Sequence, residues 1–292
     1  MDKVDVHVHV FARLSDEYPR EVSGLAPADK EGTAEQLLRE MDAAGIDRTV
    51  LIEMNGTRIE YHKYVAHCVE KWPNRFTATG LVDVNDPDPS ARLRELVEAT
   101  GIEGIRIGDL GDPGAAYVED LKSYTLFQCA DELGININIY TGSVNISCVE
   151  MLAEAFPKVN ISLDHLSVMP STSGSTDRWG RPRFDNEPLP PPTYPRVLDM
   201  VRFPNVYIKV SGEYAFSKVP WPYEDMKPMV EQIYQAYGPG RMMWCSDSPW
   251  ILKEPGYQRL VDLIDEHLPS ISEDEKDQIM GGTALKIWFK NK

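Results

Sequence analysis

Short apolar, β-branched runs alternate with longer amphipathic runs along the whole chain, through eight cycles. The apolar runs are 4–10, 49–54, 76–82, 104–108, 135–140, 159–164, 206–211 and 242–246. Most are apolar at successive positions rather than every second one, the pattern of parallel strands covered on both faces. Between them, period-3.6 patterning predicts helices over 34–44, 59–72, 90–99, 119–133, 145–156, 194–202, 223–237 and 256–267. The punctuation agrees with these bounds. Thr33 can cap the first helix and Gly45 follows it, Gly134 closes the fourth, and Pro87 and Pro89 precede the third. A further helical stretch after 273 is expected to pack across one end of the fold. Eight βα cycles with no glycine-rich phosphate turn favour an α/β architecture closed into a single (β/α)8 TIM barrel over a doubly wound sheet.

The length is compatible with that reading. The 292 residues would suffice for two average domains, but a barrel uses about 250 as one, so 1–292 is read as a single domain. One stretch interrupts the rhythm. Residues 167–192 are rich in Pro, Ser and Gly and carry Arg178, Trp179, Arg181 and Arg183. A loop this long inside a compact domain reads as a lid or an interface.

Charge narrows the partners. Thirty basic against 46 acidic residues give a formal charge of −16. Such a surface repels phosphate backbones and anionic headgroups, so neither nucleic acid nor membrane is expected, and a small-molecule substrate is. Association into a homo-oligomer is left open. The four cysteines form no C-x2-C pair and read as buried reduced thiols. No apolar run approaches the ~18 residues of a membrane span. The chain enters its first strand directly after Lys3, with no room for a signal peptide, so a cytoplasmic location is expected.

Barrel chemistry belongs at the carboxyl ends of the strands. In Asp5-Val6-His7-Val8-His9, strict alternation puts Asp5, His7 and His9 on one face, the barrel interior. Two imidazoles one strand step apart can grip a divalent ion or polarise a carbonyl oxygen. Strand six ends in Leu163-Asp164-His165, and strand eight runs out through Ser246-Asp247-Ser248-Pro249-Trp250. A carboxylate at a buried strand mouth needs a counter-charge or a metal, and closure brings Asp247 beside His7 and His9. His62, His67 and His267 fall in helices and read as surface histidines.

The N-terminal D-x-H-x-H, the histidine after strand six and the S-D-x-P-W together resemble the second amidohydrolase family. Gly281-Gly282-Thr283-Ala284-Leu285 is similar to that family's closing segment. Metal-bearing members carry a histidine at the end of strand five, where this chain has Tyr140. The resemblance therefore implies at most His7, His9 and Asp247 as protein ligands to one divalent ion, zinc first, or catalysis without metal. A tyrosine there is shared with the pyrone-dicarboxylate and sugar lactonase branch. So is an arginine in the strand-four run, here Arg106, suited to a carboxylate or a lactone carbonyl. The further arginines of that branch are replaced by Asp109, Asp112 and Glu213, which disfavours a dianion.

The expectation is a hydrolase that opens a lactone or related cyclic ester of a neutral or singly charged acid or sugar acid. Asp247 would activate water, and His7, His9 and His165 would stabilise the oxyanion. Arg106 and Tyr140 would position a substrate in a pocket lined by Glu53, Asn55, Glu213, Tyr214 and Trp250. The alternative is a metal-dependent decarboxylase or hydratase of an unsaturated or aromatic acid. A non-catalytic binding module fits the intact His and Asp set poorly.

Overall fold

Eight parallel strands form one sheet in sequential order: β1 (Val4–Val8), β2 (Arg48–Ile52), β3 (Phe76–Leu81), β4 (Gly104–Ile107), β5 (Asn136–Ile139), β6 (Ile161–Leu163), β7 (Val206–Val210) and β8 (Met242–Trp244). The computed structural model describes residues 1–169, 174–184 and 188–290. The sheet curls until β8 meets β1. Asp247 N donates to His7 O at 2.9 Å and His9 N to Ser248 O at 2.7 Å, with Val8 bridging Ser248. This is the TIM barrel that the alternation of elements predicts.

The helices form the outer layer. Thr33 accepts from Gln36 N at the head of the helix Ala34–Ala44, and Gly45 and Gly134 end their helices in the left-handed conformation, as expected. Other bounds shift. The stretch expected as one helix over 256–267 is broken into Tyr257–Val261 and Leu263–His267, and the helix expected from 119 starts at Tyr124.

Register decides what faces inward. Along β1 and β2 the partners are Val4↔Arg48, Asp5↔Thr49 and Val8↔Leu51, so β1 spends three steps against two on β2. That extra residue is a β-bulge, and a bulge turns side chains to the other face. Val4 and Val6 point in below the bulge, and His7 and His9 point in above it. Asp5 is thereby corrected: it does not share the inner face of the histidines. It is fully buried against the helical layer, where its carboxylate accepts from Tyr257 OH at 2.8 Å and Ser246 N at 2.9 Å.

The barrel floor is apolar. Val4, Val6, Val50, Ile52, Tyr207 and Met243 pack with Trp288 of the closing helix Thr283–Trp288, which crosses one end as expected. Gly281 permits the approach, because a Cβ there would come within 2.0 Å of Asp2 O. Trp288 is fully buried, so Trp288→Ala should cost about 3–5 kcal/mol of stability, read from urea unfolding. Polar side chains stand among these inward positions: Thr79 pairs with Ile52, Asn138 with Ser162, and Lys209 lies two residues beyond Tyr207 on β7.

Two of the expected surface histidines are corrected as well. His62 is buried, with Nδ1 3.0 Å from Arg58 O and Nε2 accepting from Leu81 N, and His267 is buried on Pro222 O; only His67 is exposed. All four cysteines are buried and free. Among the described residues no helix is long and apolar enough to cross a membrane. Of the long stretch after β6, residues 170–173 and 185–187 lie outside the described residues. The part between them folds as a short ribbon, Ser175–Thr176 against Pro182–Arg183. It is tied to the loop after β7 by Phe184 N on Ala215 O at 2.8 Å and by Arg183 on Tyr214 O.

Candidate active site

The histidines of β1 meet Asp247 at the mouth of the barrel. His9 Nε2 lies 3.3 Å and His7 Nε2 3.7 Å from Asp247 Oδ1. The opposite ring nitrogen of His9 lies 2.8 Å from Ile52 O, so its N–H donates there and fixes the tautomer. Asp247 Oδ2 accepts from Tyr214 OH at 2.6 Å, whereas Oδ1 and His7 Nε2 have no hydrogen-bond partner. His165 enters from the end of β6, its ring 4.7 Å from that of His7 and its Nδ1 2.9 Å from Ser211 Oγ. His165 and Asp247 both sit at positive φ, 51° and 58°. Such backbone is costly for a non-glycine residue, and it clusters where side chains must be aimed at a site. Gly212 makes room for the His165 ring: a Cβ there would lie 2.8 Å from Nδ1.

Charge states follow from burial. Burial pushes His7 and His165 below the usual histidine range, against the pull of nearby carboxylates. Burial alone would raise Asp247, but His165, His9 and His7 outweigh it and hold the carboxyl below the ordinary carboxylate range. Imidazole nitrogens and a carboxylate oxygen without donors thus converge on one point. His7, His165 and Asp247 offer ligand atoms all within 4.8 Å of one another. This donor set suits a divalent cation. It differs from the expected trio, because His165 takes the place of His9, which reaches the cluster through Asp247.

A buried ion network lies beneath. Asp164 accepts from Arg106 Nε at 2.9 Å and forms an ion pair with Lys209, whose Nζ lies 3.1 Å from Oδ1, and the same oxygen lies 3.5 Å from His7 Nδ1. Burial opposes the charge on Asp164, but Lys209, His7 and Arg106 together hold it well below the usual range. The sequence reading missed Lys209. The signal was present: period-2 alternation points it inward with Tyr207, and a lysine inside a strand needs a carboxylate.

The cluster opens into a cavity of about 290 Å³. Of the expected lining, Arg106, Tyr140 and Trp250 are on its wall, with the Arg106 guanidinium 4.2 Å from the Tyr140 ring centroid. Glu53, Asn55, Glu213 and Tyr214 are corrected: they do not line it. Tyr214 lies behind Asp247, and Glu213 is buried with one oxygen unpartnered. Asn55 is buried, and its backbone N–H is held by Glu53, whose carboxylate also accepts from Met54 N at 2.8 Å. A larger concavity, about 830 Å³, is a charged groove on the outer wall beside the helix Lys63–Lys71, away from these groups.

Burial raises Glu53 to about 7, against the backbone N–H groups that favour its charge. The native state therefore holds a proton that the unfolded chain has lost above its own pKa near 4.5. The stability from this group is full below that value and is lost as pH rises through 7. Glu53→Gln keeps the acceptor and removes the titration. Relative to wild type, the variant should gain about 3 kcal/mol between pH 4.5 and 8, measured by urea unfolding at both ends.

The chain matches the amidohydrolase family over residues 4–290 and belongs to it. Two relatives are lactone hydrolases by name. The 4-sulfomuconolactone hydrolase of Hydrogenophaga intermedia is 23% identical over 97% of this chain and 88% of its own. The L-fucono-1,5-lactonase of Burkholderia ambifaria is 21% identical over 85% of this chain and 80% of its own. A crystal structure of an amidohydrolase from Burkholderia multivorans with bound zinc covers 98% of this chain and 99% of its own, with a TM-score of 0.73 at 17% identity. That likeness shows the shared fold.

Proposed function

We propose that this protein hydrolyses the ring ester of a small lactone that is neutral or carries one negative charge. The observation that carries the reading is Asp247: anionic, fixed on one oxygen by Tyr214 OH at 2.6 Å, and free on the other beside His7 and His9. The names of the two relatives support the same reaction.

In this reading Asp247 Oδ1 accepts a proton from water as the water oxygen bonds to the carbonyl carbon. The low proton affinity of Asp247 keeps it ionised beforehand. His165 faces the developing oxyanion from the same mouth, and Arg106, steadied by Asp164 and Tyr140, holds the carbonyl or a single carboxylate. The proton on Asp247 then passes to the departing ring alkoxide, which leaves as a hydroxyl. A divalent ion held by His7, His165 and Asp247 would add Lewis-acid polarisation of the carbonyl.

That donor set also favours a second reading, a metal-dependent decarboxylase or hydratase of an unsaturated or aromatic acid. The two separate by product. Five- and six-membered lactones are incubated with the purified protein, with and without added zinc, and products are read by proton NMR. Ring-opened hydroxy acids support the proposal. Carbon dioxide or hydrated alkene from unsaturated acids, with the lactones untouched, supports the alternative.

A further inference from the structure

The cavity has two chemically different halves, and they limit the body of the ring it can hold. The strand ends supply the polar half through His9, Arg106, Tyr140, His165 and Asp247. Much of that polarity is already engaged: His9 Nδ1 on Ile52 O, His165 Nδ1 on Ser211, Arg106 Nε on Asp164, and Asp247 Oδ2 on Tyr214. What remains free, the two Nη groups of Arg106, the Tyr140 hydroxyl, one nitrogen each of His9 and His165, and Asp247 Oδ1, is gathered at the strand ends, where the ester group sits. The loops above supply the other half: Leu25, Met54, Met169, Phe184, Phe216 and Trp250. Phe184 comes from the ribbon after β6 and stacks on Phe216, with centroids 5.3 Å apart and planes at 20°. Among the described lining residues, the polar side-chain groups these loops add are the hydroxyl of Ser23, which is exposed at the rim, and the indole N–H of Trp250.

From this division we infer that the lactone carries an apolar body, an aryl-fused or alkyl-substituted ring, rather than the hydroxyls of a sugar lactone. The inference rests on the lactone hydrolase reading and sharpens it. A sugar hydroxyl set against Leu25, Met54, Met169, Phe184 or Phe216 gives up water without gaining a partner. A fused aromatic ring instead meets Phe184, Phe216 and Trp250, which favour aromatic contact. The single arginine in the lining leaves room for one anionic group at most, and 290 Å³ lies at the small end of ligand cavities.

The test compares dihydrocoumarin with gluconolactone, and measures binding of dihydroquinolinone, the unreactive lactam analogue of dihydrocoumarin, by calorimetry. The expected kcat/KM ratio is about 100-fold in favour of the aryl lactone, with measurable lactam binding. Phe184→Asn, a change at a half-buried position, should lower kcat/KM for dihydrocoumarin about tenfold through KM, and less for delta-valerolactone. Equal or better turnover of gluconolactone overturns the inference and leaves the hydrolase reading standing. Lactam binding without turnover of any lactone retains the pocket assignment and overturns the hydrolase reading. Neither binding nor turnover overturns both.

Discussion

Asp247→Asn lowers kcat/KM on a turned-over lactone by about 10³-fold or more, in a protein that remains folded. Asparagine is the discriminating replacement. It keeps the oxygen that accepts from Tyr214 OH, and it tolerates the positive φ of 58° at this position. What it removes is the negative charge and the site for the proton of the attacking water. Loss of a positioned general base costs about 10²–10⁴-fold. The change also strips the histidine cluster of its anion, weakening any grip on a cation. Initial rates followed by acid release, with circular dichroism as the control for fold, give the result. Undiminished rates in the folded variant would remove Asp247 from the mechanism.

Asp164→Leu has a large expected effect on stability. Asp164 is fully buried between Arg106 and Lys209, and Lys209 is itself wholly buried. Removing the carboxylate leaves an uncompensated buried ammonium, which costs about 3–5 kcal/mol. The double change Asp164→Leu with Lys209→Met should recover most of that loss, because an apolar pair of similar volume often replaces a buried ion pair at little cost. The pH dependence follows the depressed pKa of Asp164. Its contribution is present above the unfolded-state value near 3.9 and is lost only as the solution becomes strongly acid. Urea unfolding of the two variants beside the wild type measures both effects. A single variant as stable as wild type would mean that Lys209 finds another partner or loses its proton.

Periodicity was enough to foresee the barrel, because parallel strands buried on both faces and capped amphipathic helices leave few other architectures. The strand-end rule likewise pointed to His7, His9, His165 and Asp247, and the family resemblance to Arg106 and Tyr140, which with Trp250 are on the cavity wall. Strict alternation failed at the one place where the backbone breaks it. Nothing in Asp5-Val6-His7 announces a bulge, so Asp5 was assigned to the wrong face. Glu53 and Glu213 follow strands and carry charge, yet one is spent on backbone N–H groups and the other is buried off the cavity. Polarity at a strand end marks proximity to a site, while the direction of the side chain depends on the loop. His62 and His267 were misread because a helical histidine can turn inward when a backbone group is there to receive it. Lys209 was overlooked although its partner, Asp164, was in view; the pairing spans 45 residues and appears only when β6 and β7 lie side by side.

The most direct test of the account is a single turnover of a lactone by excess enzyme in oxygen-18 water. Asp247 acting as a base on water predicts one labelled oxygen in the carboxylate of the first product formed and none in the hydroxyl. An unlabelled first product would show that a protein oxygen attacks instead, and label in the hydroxyl would show that the ring carbon, not the carbonyl, is the site of attack; either contradicts the account.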